Sequence, residues 1–194
     1  MKLLPLETPR LLLRPYREDD LLDFFTFCCH PQVGPAAGWT PHKNISESKK
    51  ILHSFISGGK VWAVQDKSSG HVIGSIELDR DGARNVGADI VLSLGYVFSS
   101  SVWGRGYATE GVRRVLRYVF TEMENPPELI SVSHYDFNDR SKRVIKKSGF
   151  KFEGVIRKAT VVPEHGLCDS WKYSMTEREW RQTIVPSESL NEVR

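Results

Sequence analysis

The 194-residue chain has only three cysteines, and none is spaced as a pair: Cys28 and Cys29 are adjacent and Cys168 stands alone. That excludes a disulfide framework or a CxxC centre and fits a reducing, cytoplasmic setting. The six histidines show no HxH or HxxxH spacing, so no metal site is expected. No apolar run approaches the roughly 18 residues of a membrane span, so no membrane association is expected. The first residues break at Pro5, Glu7 and Pro9, which leaves no signal-peptide core. Charge of one sign is also scarce. Lys plus Arg number 27 and Asp plus Glu 24, a net +3, too even for a dedicated nucleic-acid binder.

The composition is that of a folded chain, with 40% hydrophobic and 26% charged residues. Its length suits one domain with its own core. No repeat or low-complexity stretch appears. The expected organisation is a single domain over 1–185 and a polar tail over 186–194 that begins at Pro186.

Hydrophobic periodicity sets the elements. A short strand over Leu11–Arg14 precedes a helix opened by Glu18-Asp19-Asp20, with Leu21, Phe24, Phe25 and Cys28 on one face. Gly34–Asn44 reads as a loop. Ser46 is expected to cap a second helix closed by Gly58-Gly59. Val61–Gln65 and Val72–Leu78 read as a hairpin, followed by a strand over 89–98. The strongest helical pattern starts near Tyr107, with Ala108, Val112, Val115, Leu116, Val119 and Met123 in one stripe. A strand over Leu129–Tyr135, a helix capped by Asn138 or Asp139 and ended at Gly149, and strands over Lys151–Val162 and Cys168–Thr176 complete the chain. Hairpins mixed with crossover helices imply a mixed α/β fold, a sheet of about seven strands with helices on both faces.

The segment Val102-Trp103-Gly104-Arg105-Gly106-Tyr107-Ala108-Thr109-Glu110 joins a strand to the best helix. Glycines there let successive N–H groups converge, and the first helical amides lack intrahelical partners, which together make an anion site. Arg105 would add charge at its rim. A plain tight turn is the alternative. A dinucleotide fingerprint lacks its third glycine, since Thr109 stands there, and a P-loop lacks its Lys-Ser or Lys-Thr.

This stretch resembles motif A of the GNAT superfamily of acetyl-CoA-dependent N-acetyltransferases, with Trp103 where Gln or Arg is usual. The longer string, together with Asn138, Ser141, Lys147, Gly149 and Phe150, is similar to the branch that holds the ribosomal-protein N-terminal acetyltransferases. So is the opening Glu7-Thr8-Pro9-Arg10-Leu11, with Leu13-Arg14-Pro15 and Glu18-Asp19-Asp20 behind it. The resemblance spans roughly residues 7–177. It implies a V-shaped cleft in the sheet, with acetyl-CoA between the strand ending at Phe98 and the one ending near Tyr135. Val97 and Phe98 would bind the pantetheine through their backbone. Trp103 and the amides from Gly104 through Thr109 would take the pyrophosphate, and Asn138 the pantetheine arm.

The implied reaction is direct attack of an amine on the thioester in a ternary complex, without an acetyl-enzyme. It needs a base for the amine and stabilisation of the leaving thiolate. Glu77 is the favoured base. Asp79 shares its strand face, and the other reading of both is a solvated strand acid; Glu110 also suits a dipole-stabilising role, and His134 is a further candidate whose other reading is structural. The family's proton-donating Tyr is absent, since Ile145 occupies that position. Ser141 is the substitute the branch suggests, the other reading being a helix-start hydroxyl bonded to the backbone. Trp39 lies where the family places its acceptor pocket. Cys28 reads as core and Cys29 as incidental, and neither suggests a nucleophile. A protein N-terminal α-amine is the implied acceptor. A small amine such as a polyamine, amino acid or antibiotic, or a non-catalytic acetyl-CoA-binding module, are the alternatives. A homodimer is possible.

Overall fold

The computed structural model describes residues 3–87 and 90–184. The expected tail over 186–194 and the boundary at 185 lie outside the described residues. Eight strands form one sheet. They are β1 (Leu6–Glu7), β2 (Leu11–Pro15), β3 (Val61–Asp66), β4 (Val72–Arg80), β5 (Val91–Phe98), β6 (Leu129–Tyr135), β7 (Lys151–Val162) and β8 (Gly166–Met175). Six helices accompany them: α1 (Leu21–Cys28), α2 (Val33–Ala37), α3 (Ile45–Gly58), α4 (Tyr107–Thr121), α5 (Asp139–Lys147) and α6 (Glu177–Ile184). The spatial order is β1-β2-β3-β4-β5-β6-β8-β7. Neighbours are antiparallel except β5 and β6, which run parallel because α4 crosses between them.

Alternation along the strands divides the interior in two. Trp62 and Val64 of β3 join Ile76, Leu78 and the stripe Val112, Val115, Leu116 and Val119 of α4 in the larger core. Val61 and Ala63 face the other way, onto Phe24, Phe27 and Cys28 of α1 and Leu52 of α3. Helices therefore cover both faces, each burying the stripe its periodicity marks. No described helix is long and apolar enough to cross a membrane.

Several expectations change. The eighth strand is β1, whose two residues pair with Leu12 and Leu13 through a turn closed by the Thr8 side chain on Leu11 N. The stretch assigned to a loop begins in α2, since Pro35 falls in the first helical turn, where no backbone N–H is needed. Asn44, not Ser46, caps α3, accepting from Glu47 N at 3.0 Å. Phe27 rather than Phe25 faces the core from α1. Helix α6 was not foreseen, although Thr176 and Glu179 form a reciprocal capping box ahead of the buried Trp180. Strand β8 starts at Gly166 instead of Cys168. Strand β5 is described from Val91, and the Asp89 at which it was expected to begin lies outside the described residues.

Candidate active site

The site begins where the parallel pairing ends. Strands β5 and β6 are in register only at Val91–Leu129, Leu92–Ile130 and Ser93–Ser131. Beyond that, β5 continues against β4 as far as Phe98 opposite Gly74, and β6 continues against β8 as far as Tyr135 opposite Ser170. The two strands therefore splay, and from Leu94 to Phe98 one backbone edge of β5 is left without a strand partner. A cavity of about 430 Å³ fills the opening. Its walls include Leu94 to Phe98, the loop from Val102 to Gly104, the start of α4, Ser133 to Tyr135, Ala36 and Ala37, and the first turns of α5.

The glycine loop closes one end. Gly104 and Gly106 have φ of +75° and +83°, conformations that a side chain would strain. Gly106 is the N-cap of α4 and supplies no capping side chain. The amides of Tyr107, Ala108 and Thr109 thus start the helix without intrahelical partners, on a stretch that lines the cavity. Trp103 donates its indole N–H to the Phe98 carbonyl at 2.9 Å, so one acceptor position on Phe98 is already used. The Arg140 guanidinium lies 4.0 Å above the Trp103 ring, which joins the loop to α5. Arg105, expected at the rim, stands beside the cavity instead of in its wall. Its side chain lies 5.3 Å from the Tyr107 ring centre, and it is absent from the cavity wall.

Asn138 caps α5, its Oδ1 accepting from Ser141 N at 3.0 Å, and its Nδ2 donates to the Ala36 carbonyl at 2.8 Å. The cap thus ties α2 to α5 at the cavity and leaves one amide hydrogen unassigned. Ser141 does not bond its hydroxyl to the helix backbone. Its Oγ lies 2.7 Å from the Tyr96 hydroxyl, whose single hydrogen can go to that oxygen or to the Ser141 carbonyl 3.2 Å away. Sequence reasoning missed Tyr96. Burial raises its hydroxyl well above the usual tyrosine range, although the Ser141 bond acts the other way. Ile145 is fully buried in the larger core and offers nothing to the cavity.

The acid and base candidates separate clearly. Glu77 sits opposite Gly95, and its Oε2 is 3.7 Å from where a Cβ on Gly95 would stand; Gly95 lines the cavity and Glu77 is one residue behind that lining. Among the described residues it has no hydrogen-bond or ion-pair partner. Burial raises its carboxyl, and the like charge of Asp79 adds to this, offset in part by Lys60. Asp79 is instead bound by Lys60 at 2.5 Å and is held below the ordinary range mainly by that bond. His134 lines the cavity, but its Nδ1 is 2.7 Å from the Tyr135 carbonyl and its Nε2 3.3 Å from the Tyr173 hydroxyl. The carbonyl requires the proton on Nδ1, and Nε2 then accepts from Tyr173. Burial keeps the ring neutral by lowering its pKa. With both nitrogens engaged, His134 is a packed wall residue and not a free base.

Glu110 faces away from this cavity, toward Thr8 and Arg10. Trp39 packs on His42, with ring centres 5.1 Å apart, and is not part of the cavity wall. Cys28 is buried, which pushes its thiol up and removes it as a nucleophile. The assembled features suit an extended ligand, with an open strand edge for its length, unpartnered amides for an anionic end and a carboxylate beside its path.

Comparison with known proteins points the same way. The profile described as acetyltransferase (GNAT) domain matches residues 10–151. An uncharacterized N-acetyltransferase of Bacillus subtilis (strain 168), YoaA, is 26% identical over 157 residues, covering 78% of this chain and 85% of that one. The crystal structure of a GNAT-family acetyltransferase from Bacillus anthracis superposes with a TM-score of 0.79 at 20% identity, over 90% of this chain and 99% of that one. The ribosomal-protein-S5-alanine acetyltransferase of Vibrio fischeri superposes with a TM-score of 0.70 at 17% identity, over 91% and 98%.

Proposed function

The chain belongs to the GNAT family of acetyl-CoA-dependent N-acetyltransferases, and from that premise we propose that its acceptor is the α-amine of a polypeptide N-terminus, deprotonated by Glu77. The observation that carries this reading is the half-buried Glu77 carboxylate, unpaired beside Gly95, while its neighbour Asp79 is consumed by Lys60. A carboxyl raised by burial is a stronger base than a solvated one. An α-ammonium, with a pKa of about 8, needs less help than a lysine side chain near 10.4. The structural likeness to an enzyme named for a ribosomal-protein alanine supports the same acceptor class.

In this reading the open edge of β5, at Val97 and Phe98, takes the pantetheine like an added strand. The amides of Gly104 and of Gly106, Tyr107, Ala108 and Thr109 take the pyrophosphate, whereas the Arg105 amide is already given to the Val102 carbonyl at 3.4 Å. Trp103 forms the wall behind it, and the remaining Nδ2 hydrogen of Asn138 bonds the pantetheine arm. The fraction of α-amine that arrives neutral attacks the thioester carbon, and the one proton the nitrogen must then lose passes to Glu77. The carbon–sulfur bond breaks with its electron pair on sulfur. The Ser141 hydroxyl donates a hydrogen bond to that thiolate and accepts one from Tyr96. The Tyr96 bond orients the Ser141 hydroxyl, and the pair stabilises the leaving charge by hydrogen bonding. The reading places the enzyme in the cytoplasm, with which its three unpaired cysteines agree.

The test is mass spectrometry after incubation with acetyl-CoA and a pool of peptides with free N-terminal Ser, Ala or Met, polyamines, amino acids and an aminoglycoside. Acetylation confined to peptide N-termini is expected. Acetylation of small amines alone would move the assignment to small-molecule acceptors. No product with any amine, together with measurable acetyl-CoA binding, would favour a non-catalytic module.

A further inference from the structure

The opening Thr8-Pro9-Arg10 is not part of the cavity wall, yet it makes a dense set of contacts to the helix that begins at the glycine loop. Thr8 Oγ1 donates to Glu110 Oε1 at 2.6 Å, and Arg10 N donates to the same oxygen at 3.1 Å from 100 residues away in sequence. Arg10 Nε and Nη2 both lie 2.6 Å from Glu110 Oε2. The same guanidinium donates through Nη1 to the Arg105 carbonyl at 3.0 Å and lies 4.2 Å over the Tyr107 ring. One side chain thus holds the middle of the loop, the first residue of α4 and the acid of its first turn.

Glu110 makes this arrangement necessary. It is the one acid in the first turn of α4, at the positive end of the helix. There a bare carboxylate competes with a phosphate for the same dipole and repels it. An isolated exposed ion pair would contribute little. Here both carboxylate oxygens are engaged by donors from the β1–β2 turn, and the charge of Arg10 offsets that of Glu110.

We propose that Thr8 and Arg10 are positioning residues for acetyl-CoA: they fix the glycine loop from behind and cancel the Glu110 charge, so that the pyrophosphate meets a net positive helix end. This rests on the reading that the loop takes the pyrophosphate. Arg10 touches no reacting atom, so its loss should appear in acetyl-CoA affinity and not in turnover.

The test is a calorimetric acetyl-CoA titration, with steady-state kinetics and thermal unfolding, of wild type, Arg10→Ala, Arg10→Lys, Arg10→Ala/Glu110→Gln and Gly106→Val. For Arg10→Ala, Kd and KM for acetyl-CoA should rise about tenfold with kcat within about twofold, and the defect should shrink at high salt. The double variant should recover most of the lost affinity, because the charge left exposed is gone, and Arg10→Lys should fall between. A double variant no tighter than Arg10→Ala, or an Arg10→Ala with unchanged affinity, overturns the proposal. Where Arg10→Ala does not unfold cooperatively, the double variant and Arg10→Lys decide. Near wild-type affinity in the double and an intermediate loss in Arg10→Lys support the cancelling of the Glu110 charge by Arg10, and equal losses in the two overturn it. Gly106→Val separates the two readings. If it binds as tightly as wild type, the loop itself is not the pyrophosphate site. If it is weakened while Arg10→Ala is not, only the brace fails.

Discussion

The hydroxyls of Tyr96 and Ser141 meet at 2.7 Å, joining β5 to the first turn of α5 on the wall of the cavity. Each can donate to the other, and a third group in the cleft can take the remaining hydrogen. Ser141→Ala removes the donor to the leaving sulfur. Turnover should fall about 10- to 100-fold, with acetyl-CoA affinity nearly unchanged, a loss at or below that seen for other single charge-stabilising donors. Tyr96→Phe should cost less. Combined with Ser141→Ala it should add little, since both act on one hydrogen-bonded unit. Single-turnover rates for the two variants and the double variant check this, and fully additive losses would separate the two hydroxyls.

Glu77 supplies a prediction with two signs. As base it must be ionised, so kcat/KM should rise with pH through a value above the ordinary carboxylate pKa of 4.5. Glu77→Gln should abolish that rise and lower kcat about 100-fold or more. In stability the effect reverses. Because the folded-state pKa is raised, the unfolded chain releases this proton first. The stability from this group is full at low pH and is lost as pH rises through the folded value. Glu77→Gln should therefore melt higher than wild type at pH 8, with the difference closing below about pH 4. A variant that melts lower at pH 8 would show that the carboxylate has a stabilising partner.

Much of this was legible because the signals were local. The stripe from Val112 to Val119 marked α4, and all four of its inner residues, Val112, Val115, Leu116 and Val119, are essentially inaccessible. The strand Leu129–Tyr135 fell where its β-prone run placed it. The glycine loop was legible because its two positive-φ residues had to be glycine. What escaped depends on contacts far apart in sequence. Nothing near Tyr96 indicates that Ser141, 45 residues on, will meet it. Nothing near His134 shows that Tyr173 will occupy its second nitrogen. Strand β1 is only two residues long and carries no periodicity to detect. Helix α6 did carry a signal, the Thr176–Glu179 box, but only Trp180 among its residues is buried, so its hydrophobic pattern was weak.

Asn138 has two functions that substitutions can separate. Asn138→Ala loses the cap of α5 and both Nδ2 donors, to the Ala36 carbonyl and to the pantetheine arm, whereas Asn138→Asp keeps an acceptor for Ser141 N and loses the two donors. The alanine variant should be destabilised by about 1 kcal/mol, the ordinary cost of a lost cap, and the aspartate variant by little. Both should raise KM for acetyl-CoA to a similar degree, because both release α2 from the cavity. Urea unfolding beside acetyl-CoA kinetics tests this. An aspartate variant with wild-type KM would show that neither the Ala36 bond nor the donor to the pantetheine arm has a part in binding acetyl-CoA.

Gly38 tests the opposite wall. It closes α2 at φ +96°, a conformation that disfavours a side chain, and a Cβ there would stand 2.3 Å from the Tyr135 hydroxyl and 2.9 Å from two of its ring atoms. Two costs therefore combine in Gly38→Ala: about 1 kcal/mol or more of backbone strain and a further 1–3 kcal/mol of overpacking. Tyr135→Phe alone should be nearly neutral for stability, since no hydrogen bond to that hydroxyl is made among the described residues. In the Gly38→Ala background it should recover only part of the loss, because the ring contacts and the strain remain. Tyr135 lines the cavity, so a ring displaced by Gly38→Ala should also raise the acceptor KM more than that for acetyl-CoA. Thermal unfolding of the three variants measures the first effect and initial rates the second. Full recovery in the double variant would mean that the hydroxyl alone, and not the backbone conformation, demands glycine at this position.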